Sequence, residues 1–268
     1  MAHRKSYVSR FFQQVQIHGP IAATKLFARV AVSRAKVVLA NKLLPARVAC
    51  PCCGWRGRRF NDYIQVGHRV NNATCPQCAS HSRHRSLFLW ASRQFNLAEK
   101  SGRALVFAPE KATATLWSEA PCLSVWRVDL EAGRGVDLLV EIRALPFASD
   151  SIDLIWCHHV LEHVENDLAA IRELGRVLRP GTGELIVSVP MGAGAATEEY
   201  GFPDPSLSGH WRLYGFDFVD RLAEGGLSVS PIDSKVSAEE RRLYAIEPKP
   251  CYVCRKAETS AAAANGWE

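Results

Sequence analysis

The sequence predicts an α/β chain whose larger part is a doubly wound, mostly parallel sheet, preceded by a small zinc-ribbon-like element and a basic helical head. Three observations support this. Beyond residue 103, short apolar strand patterns alternate with helical ones, the order that places crossover helices between parallel strands. Ahead of them, Cys50, Cys53, Cys75 and Cys78 form two CxxC pairs separated by 21 residues. The charge is also divided: residues 1–100 hold 17 Lys/Arg against 2 Asp/Glu, and the remainder holds 16 against 25. A basic front and an acidic back suggest segments with different partners.

Residues 1–47 read as a basic helical segment broken at Gly19-Pro20. After the break, Leu26, Phe27, Val30, Val37, Val38 and Leu44 interleave with Lys25, Arg29, Arg34, Lys36 and Lys42. Such a face can pack on the rest of the protein, touch an anionic membrane peripherally, or serve as a targeting presequence. Packing is the first choice and targeting the last. No run of about 18 apolar residues occurs, so no membrane-spanning helix is expected. Nothing near the start pairs a long apolar core with a small-residue cleavage site, so no secretory signal is expected either. Nine cysteines in 268 residues are not a disulfide framework. A reducing compartment, the cytoplasm by default, is expected, with peripheral membrane contact of the head as the second choice after packing.

Residues 48–95 form the cysteine-rich element and a linking helix. Two residues between cysteines let both sulfurs of a tight turn face one ion, and two such turns complete a tetrahedral thiolate shell. Zinc is the expected ion, and four thiolates leave no open position, so its role is structural. Cys52 is a spare whose use would break the spacing, and Cys251 and Cys254 lie in an apparent final strand, where alternation separates them. Arg56, Arg58, Arg59, Arg83 and Arg85 could meet phosphate, with Trp55 or Phe60 stacking on bases, or they could pin the ribbon to its neighbour. The helix "SHSRHRSLFLWASRQF" offers Leu87, Trp90 and Phe95 for burial.

Residues 96–258 carry the sheet. "ALVFA", "LSVWRVDL", "SIDLIWCHHV" and "GELIVSVP" read as strands. In "VLEHVENDLAAIRELGRVLRPG" apolar residues recur every three or four positions from Leu161 to Leu178, and Pro180-Gly181 stops that helix. Glu162 and His163 are read as stabilising its junction with the strand. The tail, residues 259–268, is expected to be disordered. In a doubly wound sheet the ligand sits at the carboxyl ends of the strands. The first ends near Ala108, and about 20 residues later the second ends in "VDLE", placing Asp129 where a carboxylate accepts hydrogen bonds from ribose hydroxyls.

"FAPEK", "RALPFASDSIDLIWCHHVLEHV", "LRPGTGELIVSVP" and "HWRLYG" together resemble segments of S-adenosylmethionine-dependent methyltransferases of the Rossmann-like class. "CPQCASHSRHR" narrows the resemblance to a bacterial subgroup with a cysteine-rich element before the core. The resemblance spans roughly residues 48–256. It implies that Ala108, Pro109 and Glu110 pass the cofactor's methionine portion and that Asp129 holds the ribose. It further implies that Leu130 lies against the adenine and that Glu141 and Ile142 form the adenine-side loop. His158 and His210 are its candidate bases, with Arg212 and Tyr214 to orient the acceptor.

The methyl acceptor is open, with a small molecule or a glycan as the expectation. The first loop has no glycine, and Ala112 stands where the subgroup tends to have one; it fits if its φ is negative. The alternative reading is a non-catalytic zinc-ribbon binding protein, in one version a nucleic-acid binder, on a degenerate methyltransferase fold. No Asn-Pro-Pro-aromatic motif follows the fourth strand, which weighs against amino methylation of nucleic acid.

Overall fold

A computed structural model describes residues 7–133 and 135–258. The expected disordered tail, 259–268, lies outside the described residues, as do the first six residues of the basic head. The chain divides into two compact units. One holds the described residues to Lys100 together with 109–122 and 233–249, and the other holds the rest. Two segments that the sequence assigns to the sheet-bearing region, 109–122 and 233–249, thus fold with the N-terminal unit.

In the N-terminal unit, α1 (Tyr7–His18) and α2 (Pro20–Leu43) meet at Gly19, whose φ of +81° suits glycine and is followed by proline at the first helical position. Only Ala23, Leu26 and Val37 of α2 are buried. Ser33 donates to Asp62 and Asn41 exchanges hydrogen bonds with Arg59, tying α2 to the ribbon. The ribbon comprises β1 (Val48–Ala49) paired with β2 (Arg56–Gly57), and β3 (Asn61–Gln65) paired with β4 (His68–Thr74). Next come α3 (Ser82–Arg93), the short α4 (Ala114–Ser118) and a final helix, Ala238–Tyr244. Leu87 and Trp90 of α3 are buried, and Trp90 stacks on Phe95, as the apolar spacing suggests.

The second unit is built on a seven-stranded sheet. Its members are β5 (Gly102–Phe107), β6 (Leu123–Asp129), β7 (Leu138–Leu139), β8 (Leu154–His158), β9 (Glu184–Ser188), β12 (Leu227–Pro231) and β13 (Tyr252–Lys256). The order is β12-β13-β9-β8-β5-β6-β7, parallel throughout except that β13 runs antiparallel to β9 and β12. This is the Rossmann-like arrangement expected. Every residue of β8 and β9 is buried, which is why Leu154–Cys157 and Leu185–Val187 read as apolar runs. A separate hairpin pairs β10 (Glu198–Asp204) with β11 (His210–Leu213).

One helix starts later than its periodicity suggests. Leu161–His163 is a single 3₁₀ turn, and α5 covers Asp167–Val177. The Asn166 side chain accepts from the Ala169 amide and caps α5, a local signal that outweighs the apolar spacing upstream. Ala170, Ile171, Leu174 and Val177 of α5 are fully buried in the core under the sheet. α6 (Phe218–Glu224) adds Phe218 and Leu222 to that core.

The sheet fixes where a ligand can sit. From β5 the chain builds outward through β6 and β7, then crosses to β8 and β9 on the other side. The topological switch point therefore lies between β5 and β8, at their carboxyl ends.

Candidate functional site

The four cysteines of the paired CxxC motifs come together. One sulfur from each lies within 4.8 Å of the others. The Cys50–Cys78 sulfurs are 3.6 Å apart and the Cys53–Cys75 sulfurs 3.7 Å apart. A tetrahedron with Zn–S bonds of about 2.3 Å has edges of about 3.8 Å, so these thiols fit a zinc ion. Each knuckle closes in the same way: Gly54 donates to the Cys50 carbonyl at 2.9 Å and Ala79 to that of Cys75 at 3.0 Å. Both closing residues have positive φ, +72° at Gly54 and +62° at Ala79. Cys52 is buried beside this group but is not one of the four. Cys251 donates to the Val187 carbonyl and Cys254 is buried in the sheet core, so neither forms a second thiol cluster.

The "SRHR" stretch bolts the N-terminal unit together. Arg85 is fully buried, and its guanidinium donates to the carbonyls of Ala73, Ser80, Tyr244 and Ala245 while lying 4.3 Å from the Phe60 ring centre. Burial lowers its pKa, and the neighbouring cysteine sulfurs of Cys50, Cys52, Cys75 and Cys78 oppose that shift. Of the two uses open to these arginines, Arg85 serves the pinning one. Phe60 has no exposed surface, so it presents no face for a base, and Trp55 is half-buried against it. Lys111 donates to Gln77 and Thr115 to Cys52, which holds 109–122 against the knuckles. Glu110, expected beside the cofactor, has its carboxylate 2.7 Å from His84 Nε2 and 3.4 Å from Arg83.

At the carboxyl edge of the sheet, Ala108 follows β5 with φ +45° and donates to the Val128 carbonyl. Ala112, where a positive φ would have caused strain, is not among the positive-φ residues and is buried in a 3₁₀ turn. The left-handed position is thus Ala108, four residues earlier. Asp129 ends β6 and accepts weakly from the Glu131 amide, while Leu130 beside it is 68% exposed. Glu141 holds Arg143 through both carboxylate oxygens at 3.1 Å, which lowers its pKa, and Ile142 is buried beneath.

Beyond β8 the two candidate bases separate. His158 is buried, with Nδ1 2.6 Å from Ser188 Oγ and its ring edge-on to Trp156. His159 has φ +53°, the second strained residue at the switch point. His210 sits with Glu162 and His163: one ligand atom from each lies within 4.8 Å of the other two. Burial lowers the His210 pKa, with the Glu162 carboxylate opposing the shift. Glu162 itself is buried, and its oxygens accept no hydrogen bond. A role only in securing the strand-to-helix junction does not account for it.

Two residues expected to orient an acceptor do otherwise. Arg212 is buried, pairs with Glu199 and donates to the carbonyls of Leu161, Val164 and Glu165. Tyr214 has no exposed surface and donates to Asp167 at 2.8 Å. Both brace the 3₁₀ turn and the start of α5. Their types gave no sign of this, because the contacts span about 50 residues of sequence.

Residues 121–187 match the family model of a methyltransferase domain. The matched segment contains Asp129, Leu130, Glu141, Ile142 and His158, and it spans β6 through most of β9. Among solved structures, the chain is similar to the YcgJ protein of Bacillus subtilis at 18% identity and TM-score 0.46, over 66% of this chain and 100% of that one. It is also similar to an S-adenosylmethionine-dependent methyltransferase of Thermotoga maritima at 17% identity and TM-score 0.44, over 65% and 91%. No curated protein matches the sequence.

Proposed function

We propose that the protein is an S-adenosylmethionine-dependent methyltransferase carrying a structural zinc ion on Cys50, Cys53, Cys75 and Cys78. The observation that carries the reading is Asp129 at the carboxyl end of β6, inside the methyltransferase-domain segment and one strand from the switch point. The residues present fit the cofactor. Asp129 stands where a carboxylate can accept from ribose hydroxyls, and exposed Leu130 offers the adenine an apolar surface. Ile142 supports the adenine-side loop, and left-handed Ala108 turns the backbone away at the end of β5. Glu141 is bound to Arg143, so its contribution is through loop backbone.

When bound, the cofactor supplies a methyl group on a sulfonium, already a strong electrophile. The chain has to hold the acceptor in line with it, and positioning of that kind supplies much of the acceleration. Where the acceptor must lose a proton, His158 is the better-oriented base, because Ser188 fixes its ring. Burial disfavours protonation of His210, which is the second candidate. The exposed apolar residues of the head (Val8, Phe12, Ile21, Val38, Leu39 and Leu43) alternate with Lys and Arg, which supports peripheral contact with an anionic membrane. No described helix is long and apolar enough to cross a membrane.

Calorimetric titration of the zinc-loaded protein with S-adenosylmethionine tests the main reading. Wild type is expected to bind, and Asp129→Ala to bind about ten-fold more weakly or worse, as expected for loss of charge-assisted hydrogen bonds. A wild type that does not bind overturns the proposal. A variant that binds normally removes Asp129 from the ribose site.

A further inference from the structure

We propose that Glu162, His163 and His210 form a second metal site, for a divalent first-row transition ion, distinct from the four-cysteine site. The three residues come from two places in the sequence. Glu162 and His163 lie on the 3₁₀ turn after β8, and His210 opens β11. Arg212 fastens the two together by donating to the carbonyls of Leu161, Val164 and Glu165, so the approach of His210 to the turn is built in. The His163 and His210 rings meet edge to face, 4.8 Å between centres, and one ligand atom from each of the three residues lies within 4.8 Å of the others.

The second observation is the state of Glu162. Its side chain is 1% exposed, and neither carboxylate oxygen accepts a hydrogen bond. The neighbouring His159 Nδ1 stands 3.2 Å from Oε1. A carboxylate withdrawn from water without hydrogen bonds is costly, and a cation bound directly to it removes that cost. His159 is itself held in a left-handed conformation, an arrangement that persists only where the surroundings impose it.

The donor set selects the ion. One carboxylate oxygen and two imidazole nitrogens suit Mn²⁺, Fe²⁺, Co²⁺ or Zn²⁺ better than Mg²⁺ or Ca²⁺, which prefer all-oxygen shells. Three protein ligands leave positions for water or another oxygen donor, unlike the closed thiolate site. His163 is exposed and His210 half-buried, so the group opens to solvent on the histidine side while Glu162 closes it beneath. The site lies just past the carboxyl end of β8.

Mn²⁺ is the probe, because a hard ion does not displace zinc from four thiolates. Zinc-loaded protein titrated with Mn²⁺ and followed by the loss of the free-ion EPR signal is expected to bind about one ion per chain. His163→Gln and His210→Gln should each weaken binding about ten-fold or more, with zinc content and far-ultraviolet circular dichroism unchanged. Glu162→Gln removes the buried charge, so it should raise the melting temperature without metal and abolish the further rise that Mn²⁺ produces in wild type. The proposal is overturned if wild type leaves the Mn²⁺ signal unchanged at millimolar ion. Binding that survives both histidine substitutions overturns it equally. These readouts involve no S-adenosylmethionine, so they stand or fall separately from the methyltransferase reading.

Discussion

Ala108 shows what residue identity can and cannot reveal. The absence of glycine in the first loop was visible in the sequence, but its consequence was expected at Ala112, whereas the positive φ falls on Ala108. Dihedral sign depends on how a strand end meets its neighbour, here through the Ala108 amide on Val128, and composition does not encode that. An alanine in the left-handed region is strained by about 1–2 kcal/mol. Ala108→Gly is therefore expected to stabilise the protein by up to about 1 kcal/mol in urea unfolding, after glycine's greater unfolded-state freedom is allowed for. A loss of stability would show that the methyl group packs well enough to outweigh its strain. His81 offers a pH test at the same scale. Burial, and then Arg83, push its pKa down to about 3 from 6.5. A lowered histidine pKa means that the folded state favours the neutral ring. The stability it contributes is intact above about pH 6.5 and is lost as pH falls toward 3. Wild type should consequently lose stability faster than His81→Asn across that window, and parallel curves would rule the effect out.

At the scale of single elements, the central strands and the paired CxxC knuckles were the most legible parts. Fully buried strands read as apolar runs, and ligand spacing reads as geometry. The helix after β8 was less so, because its apolar period continues upstream of the Asn166 cap. Asn166→Ala should lower stability by about 1 kcal/mol, measured by denaturant midpoint, and no change would mean that α5 does not depend on the cap. The α1–α2 pair carries apolar side chains that its own unit leaves exposed. Flotation with vesicles of phosphatidylcholine and phosphatidylglycerol should recover the protein, and pure phosphatidylcholine should not. Reversing the charge of Lys25, Arg29 and Lys36 should abolish recovery. Equal behaviour on both vesicle types would remove the membrane role.

Over the whole molecule, the membership of the two units was the part least visible in the sequence. The assignment of 109–122 and 233–249 to the N-terminal unit rests on Arg85, His84 and Ser82, whose partners lie up to 165 residues away. No local pattern announces pairs so distant. Zinc removal should therefore raise amide exchange at the knuckles, in 109–122 and in 238–247, while β8 and β9 stay protected. Uniform protection after chelation would mean that the ion is dispensable to its unit. Arg85 has a further consequence, for the order in which a ribosome delivers the chain. The cysteine-bearing segment precedes the sheet, yet two of the four carbonyls that receive the guanidinium, those of Tyr244 and Ala245, lie 159 and 160 residues further along the chain. A ribosome therefore delivers the Arg85 guanidinium well before two of its acceptors, and a nascent chain stalled before residue 233 holds a half-satisfied arginine beside its cysteines.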